Sequence, residues 1–267
     1  MGVPLRHNDS AAHRRLLAAA INRLEVDVGG DFGLSVARGL ESGVSRVNKF
    51  GRNTDIDTTQ EDIWDGGGDY TYSSSADITH AVSSSASDTG TIEVQGLDAN
   101  WALVSQPVTL TGTTAVALTT PLIRCFRCKN TSASAAVGNI QIGVGTTTSS
   151  FSAANLRAQI TISFEQTLMA QFTIPDNTTG YLLNFWGNSN KSNATSAADV
   201  SIWSRDFGGV FRIQSPTGLI SAGSSHFQHN YTTYPSYAAK TDIRMTAVGG
   251  TNNFDISAGF DLYLVDE

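Results

Sequence analysis

The clearest pattern in the chain is an alternation of apolar and polar residues near its C-terminus. Apolar side chains stand at every second position of this stretch, namely at Phe254, Ile256, Ala258, Phe260, Leu262 and Leu264. Successive side chains of a β-strand point to opposite faces, so this spacing predicts a strand with one buried face. It is the strongest single strand signal in the sequence.

Shorter runs rich in β-branched and aromatic residues recur through the chain and are separated by clusters of Gly, Ser and Asn. They predict strands at 91–95, 101–110, 113–118, 122–129, 139–144, 158–163, 168–174, 181–186, 199–203, 210–214, 242–248 and 254–265. No alternation of strands with helices supports a parallel sheet. The pattern therefore predicts an all-β fold, an antiparallel β-sandwich of the jelly-roll type.

The N-terminal quarter of the chain follows a different pattern. Residues 8–10 can cap a helix over 11–25, whose apolar stripe consists of Leu16, Leu17, Ala20, Ile21 and Leu24. No period persists from Val26 to Gly68, and a stretch of that length without structure is typical of a linker or a binding segment. We therefore predict an N-terminal helix and extended anchoring arm over 1–69 and a sandwich body over 70–267. The body could divide into two subdomains near 146–157.

The composition of the chain favours some classes of function and argues against others. Charged residues make up 15% of the chain, below the roughly 25% of ordinary globular domains, and Ser, Thr and Gly are abundant. Such a composition suits β proteins with large contact surfaces. The formal net charge of −7 argues against nucleic acid as a partner. No run approaches the ~20 apolar residues of a membrane span, and signal-peptide features are missing, so assembly in a cytosol is expected.

Charge is unevenly distributed along the chain. Residues 1–52 hold eight Lys and Arg against five acids, whereas residues 53–69 hold six acids and no base. Two interpretations remain open, ordinary surface variation or an arm that docks on a partner surface.

Two sets of residues could bind a metal ion. Cys125 and Cys128 have the spacing of a zinc or dithiol site, and His226 and His229 could add two ligands. Positions i and i+3 of a strand face opposite sides, however, so we expect two reduced cysteines, one buried and one half-exposed. The acids from Asp55 to Asp62 could bind calcium, but they lack the glycine of an EF-hand loop. No metal and no cofactor is predicted.

Catalytic patterns are weak. No G-x-S-x-G elbow occurs, and Gly66–Gly68 is not followed by the Lys-Ser/Thr of a phosphate loop. The acids of 53–69 are too clustered to suggest one raised and one ordinary pKa, as glycoside cleavage needs. We expect a protein that is not an enzyme.

Aromatic residues offer one candidate contact loop. Residues 226–237 are polar and carry four aromatic side chains. This composition resembles that of binding loops, in which aromatic residues supply contact area. The candidate surface-binding residues are His226, Phe227, Tyr231 and Tyr234. Other aromatic residues are expected in the core or in subunit contacts.

The stretch Asn48–Asp57, NKFGRNTDID, followed by Glu61–Tyr70, EDIWDGGGDY, resembles a group of structural proteins of tailed bacteriophages. The resemblance continues in patches at 91–100, 108–113, 172–175, 180–181 and 255–261. It is weaker over residues 1–47, and Cys125 and Cys128 depart from the pattern. The resemblance implies a virion component without enzymatic activity.

Under this resemblance the chain would be assembled in the cytoplasm of the host bacterium. Its partners would be capsid, portal or tail proteins, and a homo-oligomer, with a trimer favoured, is expected. A capsid cement or decoration role and a neck or tail role remain equally open. The predicted partner-binding residues are Lys49, Phe50, Arg52, Ile63 and Trp64, with the aromatic pair filling pockets of the partner. The alternative is a glycan-binding adhesin or receptor-binding protein that uses surface aromatics.

Overall fold

The computed structural model describes residues 31–189, 197–220 and 225–267. Contacts divide the chain into two units, Met1–Ser45 and Arg46–Glu267. In the described part of the first unit a short helix, α1, spans Phe32–Ala37, and the Asp31 side chain caps it by accepting a hydrogen bond from the Gly33 amide at 2.9 Å. The helix predicted over 11–25 lies outside the described residues.

Antiparallel strands form the second unit almost entirely. Their bounds are β1 (Val44–Ile56), β2 (Glu61–Asp62), β3 (Ile78–Ser83), β4 (Thr91–Leu97), β5 (Leu103–Thr109), β6 (Val116–Leu122), β7 (Arg124–Asn130), β8 (Ile140–Val144), β9 (Leu156–Ile160), β10 (Gln171–Thr173), β11 (Thr178–Ser189), β12 (Ala197–Arg205), β13 (Arg212–Ile220), β14 (Ser225–Asn230), β15 (Ser236–Tyr237), β16 (Asp242–Gly249) and β17 (Phe254–Asp266). The prediction of an all-β antiparallel sandwich is confirmed.

Eight of these strands form a jelly roll. One sheet has the order β1-β17-β11-β14 and the other the order β10-β16-β12-β13, with the short strands β15 and β2 added to them. Numbered among themselves along the chain, the eight strands follow the orders 1-8-3-6 and 2-7-4-5, which is the jelly-roll connectivity of two nested Greek keys. The inward faces of both sheets carry the apolar alternation, and Phe185 and Phe260 are fully buried between them.

A second sandwich is inserted between the first and second strands of this jelly roll. It consists of β3–β9, in sheets of order β6-β3-β8-β9 and β5-β4-β7, and we call it the inserted sandwich. Its own apolar core includes Ile78, Ile92 and Ile142. The chain passes from the inserted core to the jelly-roll core between Met169 and Ala170.

Both predicted boundaries need correction. The segment 146–157 joins β8 to β9, and these strands pair with each other at Ile142 and Ala158, so it is a hairpin connection and not a subdomain boundary. The arm predicted over 1–69 is too long, because β1, which begins at Val44, and β2 are strands of the jelly roll.

The inward positions of β1 explain why its sequence resembles a linker. Three of the four buried positions along this strand are occupied by Lys49, Gly51 and Asn53, and only the last, Ile56, is a large apolar residue. A Cβ atom at Gly51 would lie 2.1 Å from the carbonyl oxygen of Ile63, so the close approach of the two backbones requires glycine. Polar residues and glycine thus occupy a buried strand whose sequence lacks the apolar alternation that is typical of buried strands.

Candidate functional site at the junction of the two sandwiches

The predicted partner-binding residues contact the chain's own body. Ile63 and Trp64 are buried, and the Trp64 Nε1–H donates to the Gly68 carbonyl at 3.0 Å. Lys49 is also buried, and its Nζ donates to the Phe126 carbonyl. The prediction that these three side chains anchor a partner is therefore wrong for this conformation, because none of them is accessible.

The other two predicted anchors are also engaged internally. Phe50 is half-buried and forms a β-bridge with Met169. The Arg52 guanidinium forms a fork with the Asp255 carboxylate at 2.8 and 2.6 Å, which raises the pKa of Arg52. All five of the predicted anchors thus have partners within the body of the chain itself.

Buried ionisable groups concentrate at this junction. Burial lowers the pKa of Lys49 to about 7, and the nearby Arg127 acts in the same direction. Burial raises the pKa of Asp62 to about 6, although the Arg244 guanidinium at 3.0 Å opposes the shift. Burial likewise raises the pKa of Asp65 to about 7, against the stabilising hydrogen bond from the Leu168 amide. For each of these groups, interactions with its partners offset only part of the free-energy cost of desolvation.

The two cysteines lie side by side, contrary to the sequence prediction. Their Sγ atoms are 3.6 Å apart, and both residues are buried. A β-bulge is the reason: Gln95 pairs with Arg127 while Gly96 pairs with Cys125, which leaves Phe126 as an extra residue in β7. The extra residue turns Cys125 to the face of Cys128. Burial raises the pKa of Cys128, so its thiol stays protonated.

The sequence did contain a signal for this bulge. Gly96 lies inside a strand, where glycine often marks a bulge or a close backbone approach. A Cβ atom at Gly96 would lie 2.1 Å from the Arg124 carbonyl oxygen. The thiol contact was not predicted because a regular strand over 122–129 would place the two thiols on opposite faces.

Asp242 links the two sandwiches. Its carboxylate, on β16 of the jelly roll, accepts the Arg124 Nε–H at 2.8 Å and an Nη2–H at 3.1 Å from β7 of the inserted sandwich. The Arg205 guanidinium and the Thr173 hydroxyl, at 2.6 Å, donate to the same carboxylate. Asp242 and Arg124 are both buried, so this is a shielded, forked ion pair.

Aromatic rings and guanidinium groups alternate beside Asp242. Arg124 lies between the rings of Trp101, at 4.9 Å, and Tyr72, at 5.1 Å. Arg205 lies 4.6 Å from the ring of Tyr72 and 4.5 Å from that of Phe211. Arg244 then lies 4.2 Å from Phe211 and ends the stack. Cations over aromatic faces are favourable, and most of all where water is excluded.

A cavity of about 310 Å³ opens beside this stack, and we call it the junction cavity. It is lined by Tyr72, Ser73, Ser74, Trp101, Ile123, Arg124, Arg205, Phe207, Gly208, Gly209 and Asp242. Phe207, in the loop between β12 and β13, is 66% exposed, and Gly208 in this loop has a φ of 74°. Trp101 has a φ of 63°, a conformation that is rare for a bulky residue and is concentrated at functional sites.

None of the residues that line the junction cavity was predicted as a site residue from the sequence. The available signal was Arg124, a charged residue that directly follows the apolar residues Leu122 and Ile123 in the strand predicted over 122–129. A charged side chain on a buried strand needs a partner, but the partner's position, Asp242, is set by the tertiary fold.

The predicted surface-binding loop is mostly a strand. His226 lies in β14 opposite Asn188, and Phe227 packs against Phe185 with a ring separation of 5.6 Å. Tyr231 also packs against the jelly-roll core, whereas Tyr234 is 48% exposed. The loop prediction is therefore corrected: only His226 and Tyr234 of the four residues are exposed, and they lie on a paired strand and the segment after it.

The described residues lack two further features. They contain no group of three His, Cys, Asp or Glu side chains placed to share a metal ion. In the same residues no helix is long and apolar enough to cross a membrane.

Comparison with known proteins gives only distant similarities. No family model and no curated protein matches the chain. Among solved structures, the carbohydrate-binding module TmCBM61 in complex with β-1,4-galactotriose shares 15% identity over 36% of this chain and 59% of its own, with a TM-score of 0.19. The infectious bursal disease virus Gx strain structure shares 12% identity over 84% of this chain and 72% of its own, with a TM-score of 0.25. The VP2 subviral particle of that virus gives 13% identity, the same coverage and a TM-score of 0.25. Scores of this size are too low to carry a functional inference.

Proposed function

We propose that this chain is a non-enzymatic structural protein of a tailed-bacteriophage virion, an accessory capsid component or a neck or tail component. The observation that supports this most is the jelly roll with a complete second sandwich inserted after its first strand. Jelly rolls recur in viral shells, where rigid sandwiches present broad faces to their neighbours. The sequence resemblance at 48–70 also supports the proposal, and Lys49, Phe50 and Trp64 of this stretch lie at the junction of the two sandwiches.

The anchoring segment of this proposal is residues 1–45. The contacts of the chain separate Met1–Ser45 from the body, whereas Lys49 to Trp64 belong to the body. A segment that is a separate unit can bind a shell, portal or tail protein without disturbing the sandwiches. Partner contacts are thus expected before Arg46.

Truncation tests this proposal in purified particles. A chain lacking residues 1–45 should keep the melting temperature of the body and be absent from particles, whereas the full chain is present. A chain lacking residues 1–52 should fail to fold, because it loses nine of the 13 residues of β1, among them Lys49 and Gly51. Normal occupancy of the chain lacking 1–45 would show that the anchor lies elsewhere, and absence of the full chain from particles would refute the virion role itself.

Copy number distinguishes the two positions in the particle. Quantitative mass spectrometry should find hundreds of copies if the chain decorates the capsid. A single ring at the neck or tail would hold only a few, in keeping with its cyclic symmetry.

A further inference from the structure

We propose that the junction cavity binds an anionic sugar residue, a monosaccharide unit that carries a carboxylate. This proposal does not depend on the virion role, because it rests on the walls, the floor and the size of the cavity.

The walls of the cavity are aromatic and form a corner. The rings of Trp101 and Phe207 are 5.4 Å apart and nearly perpendicular, at 82°. Phe207 is 66% exposed although a large apolar side chain gains from burial, so a ligand that covers it is favoured. The C–H faces of a pyranose ring pack against such aromatic surfaces, and a corner contacts two sides of one ring.

The floor of the cavity carries an excess of positive charge. Two arginines, Arg124 and Arg205, stand against the single carboxylate of Asp242, so the three groups have a net charge of +1 in a chain whose net charge is −7. Asp242 already accepts hydrogen bonds from both arginines and from Thr173, which occupies its lone pairs. The floor can therefore donate to a ligand but has little capacity left to accept from it.

Arg205 is the group that could contact the ligand's acceptor. Its side chain is 26% exposed, whereas that of Arg124 is 7% exposed. Its Nε and Nη2 donate to Asp242, and in the described part of the chain its Nη1 donates to no other residue. A planar guanidinium with free N–H groups binds a carboxylate more selectively than a neutral hydroxyl.

The size of the cavity limits the ligand to one sugar unit. Its volume of about 310 Å³ lies at the lower end of the roughly 300–1,000 Å³ of small-molecule pockets. Exposed Phe207 at the rim leaves room for a polysaccharide to continue into solvent. A small inorganic anion would use the arginine but would leave both aromatic walls uncovered, so the walls favour a sugar.

Titration of the full chain with methyl glycosides tests the proposal. The probes are methyl glucuronide, methyl galacturonide and the methyl glycoside of N-acetylneuraminic acid, with methyl glucoside, methyl galactoside and inorganic phosphate for comparison. Saturation-transfer NMR and calorimetry should detect binding of at least one acidic glycoside, at least tenfold tighter than binding of the neutral glycosides and of phosphate. Because the contact with Arg205 is partly exposed, binding should weaken severalfold as salt is raised.

The variant Phe207→Ala provides the site-specific test, with Val210→Ala as its matched control. Both side chains are 66% exposed, so neither substitution should affect folding. Phe207→Ala should weaken binding of the acidic glycoside at least tenfold, and Val210→Ala should leave it unchanged. The proposal is overturned if no acidic glycoside binds the full chain, if phosphate binds as tightly, or if Phe207→Ala binds like the parent chain.

Discussion

At the scale of single residues, the contacts at the junction of the two sandwiches are made largely by buried polar side chains. Lys49, Asp62 and Asp242 are buried where the jelly roll meets the inserted sandwich, and each depends on a specific partner. Buried charged groups contribute little net stability, but removal of one partner of a pair is costly. Substitutions here should therefore have large effects of either sign.

Lys49→Met should stabilise the protein near neutral pH. The folded state holds Lys49 with a pKa of about 7 instead of 10.5, so between these values the unfolded state binds more protons than the folded state. Folding stability from this group therefore rises from pH 7 to 10.5 and is lost as pH falls to 7. The substitution removes the free-energy cost of burying this lysine. After subtraction of the lost hydrogen bond, we expect the free energy of unfolding at pH 7 to rise by about 2 kcal/mol, which corresponds to a rise of about 5 °C in Tm.

Thermal melts from pH 6.5 to 10 measure this effect. The advantage of Lys49→Met over the parent chain should shrink as pH rises. Lys129→Met, at a lysine whose side chain is 46% exposed, is the control and should show no such trend. A difference that stays constant over this range would contradict the assigned cause.

Asp242→Asn should destabilise the protein by about 3–5 kcal/mol. The neutral amide leaves Arg124 and Arg205 without their counter-charge, and the Arg124 side chain is only 7% exposed, so water compensates little of the loss. Asp206→Asn, at an exposed position in the neighbouring loop, should change stability by less than about 0.5 kcal/mol. Urea unfolding measures the free energy of unfolding of the two variants. Equal losses of stability would show that Asp242 is not central to the junction.

At the scale of elements, strands with apolar alternation could be predicted and strands with polar interiors could not. The strand predicted over 254–265 is β17, Phe254–Asp266, and the one predicted over 242–248 is β16, Asp242–Gly249. In contrast, β1 was predicted as arm and β14 as loop, because neither has an apolar period. These two segments form strands because β1 pairs with β17 and β14 pairs with β11.

Gly96→Ala should disrupt the bulge in β7. A Cβ atom at this position would lie 2.1 Å from a backbone oxygen of Arg124, which cannot move without disturbing the ion pair to Asp242. We expect a loss of about 2–3 kcal/mol. Gly218→Ala is the matched control within a strand, since its Cβ would approach only the Asp199 carboxylate at 3.7 Å. Denaturant midpoints compare the two, and a Gly96→Ala chain as stable as the control would argue against the close approach.

At the scale of the whole molecule, the two sandwiches of the body should behave as one cooperative unit. The inserted sandwich is attached at both ends to the jelly roll and is tied to it by the pair of Arg124 with Asp242. Because the two sandwiches share the junction, unfolding of either one would expose polar groups that are buried against it in the other.

Differential scanning calorimetry should accordingly show a single unfolding transition for residues 46–267. The ratio of calorimetric to van't Hoff enthalpy should be about 1, as for a two-state unit. Two resolved transitions, or a ratio well above this value, would show that the sandwiches unfold independently.

The sequence by itself determined the all-β class, because alternation of apolar residues along a strand is local and follows from the two-residue period of the backbone. It also drew attention to the stretch 48–70. Only the tertiary structure decided what that stretch does, because Lys49, Gly51 and Trp64 gain their roles from residues distant along the chain, such as Phe126. The pairing of Arg124 with Asp242 and the junction cavity depend on which strands become neighbours. That choice is made by the packing of the whole fold, so no local pattern in the sequence could reveal it.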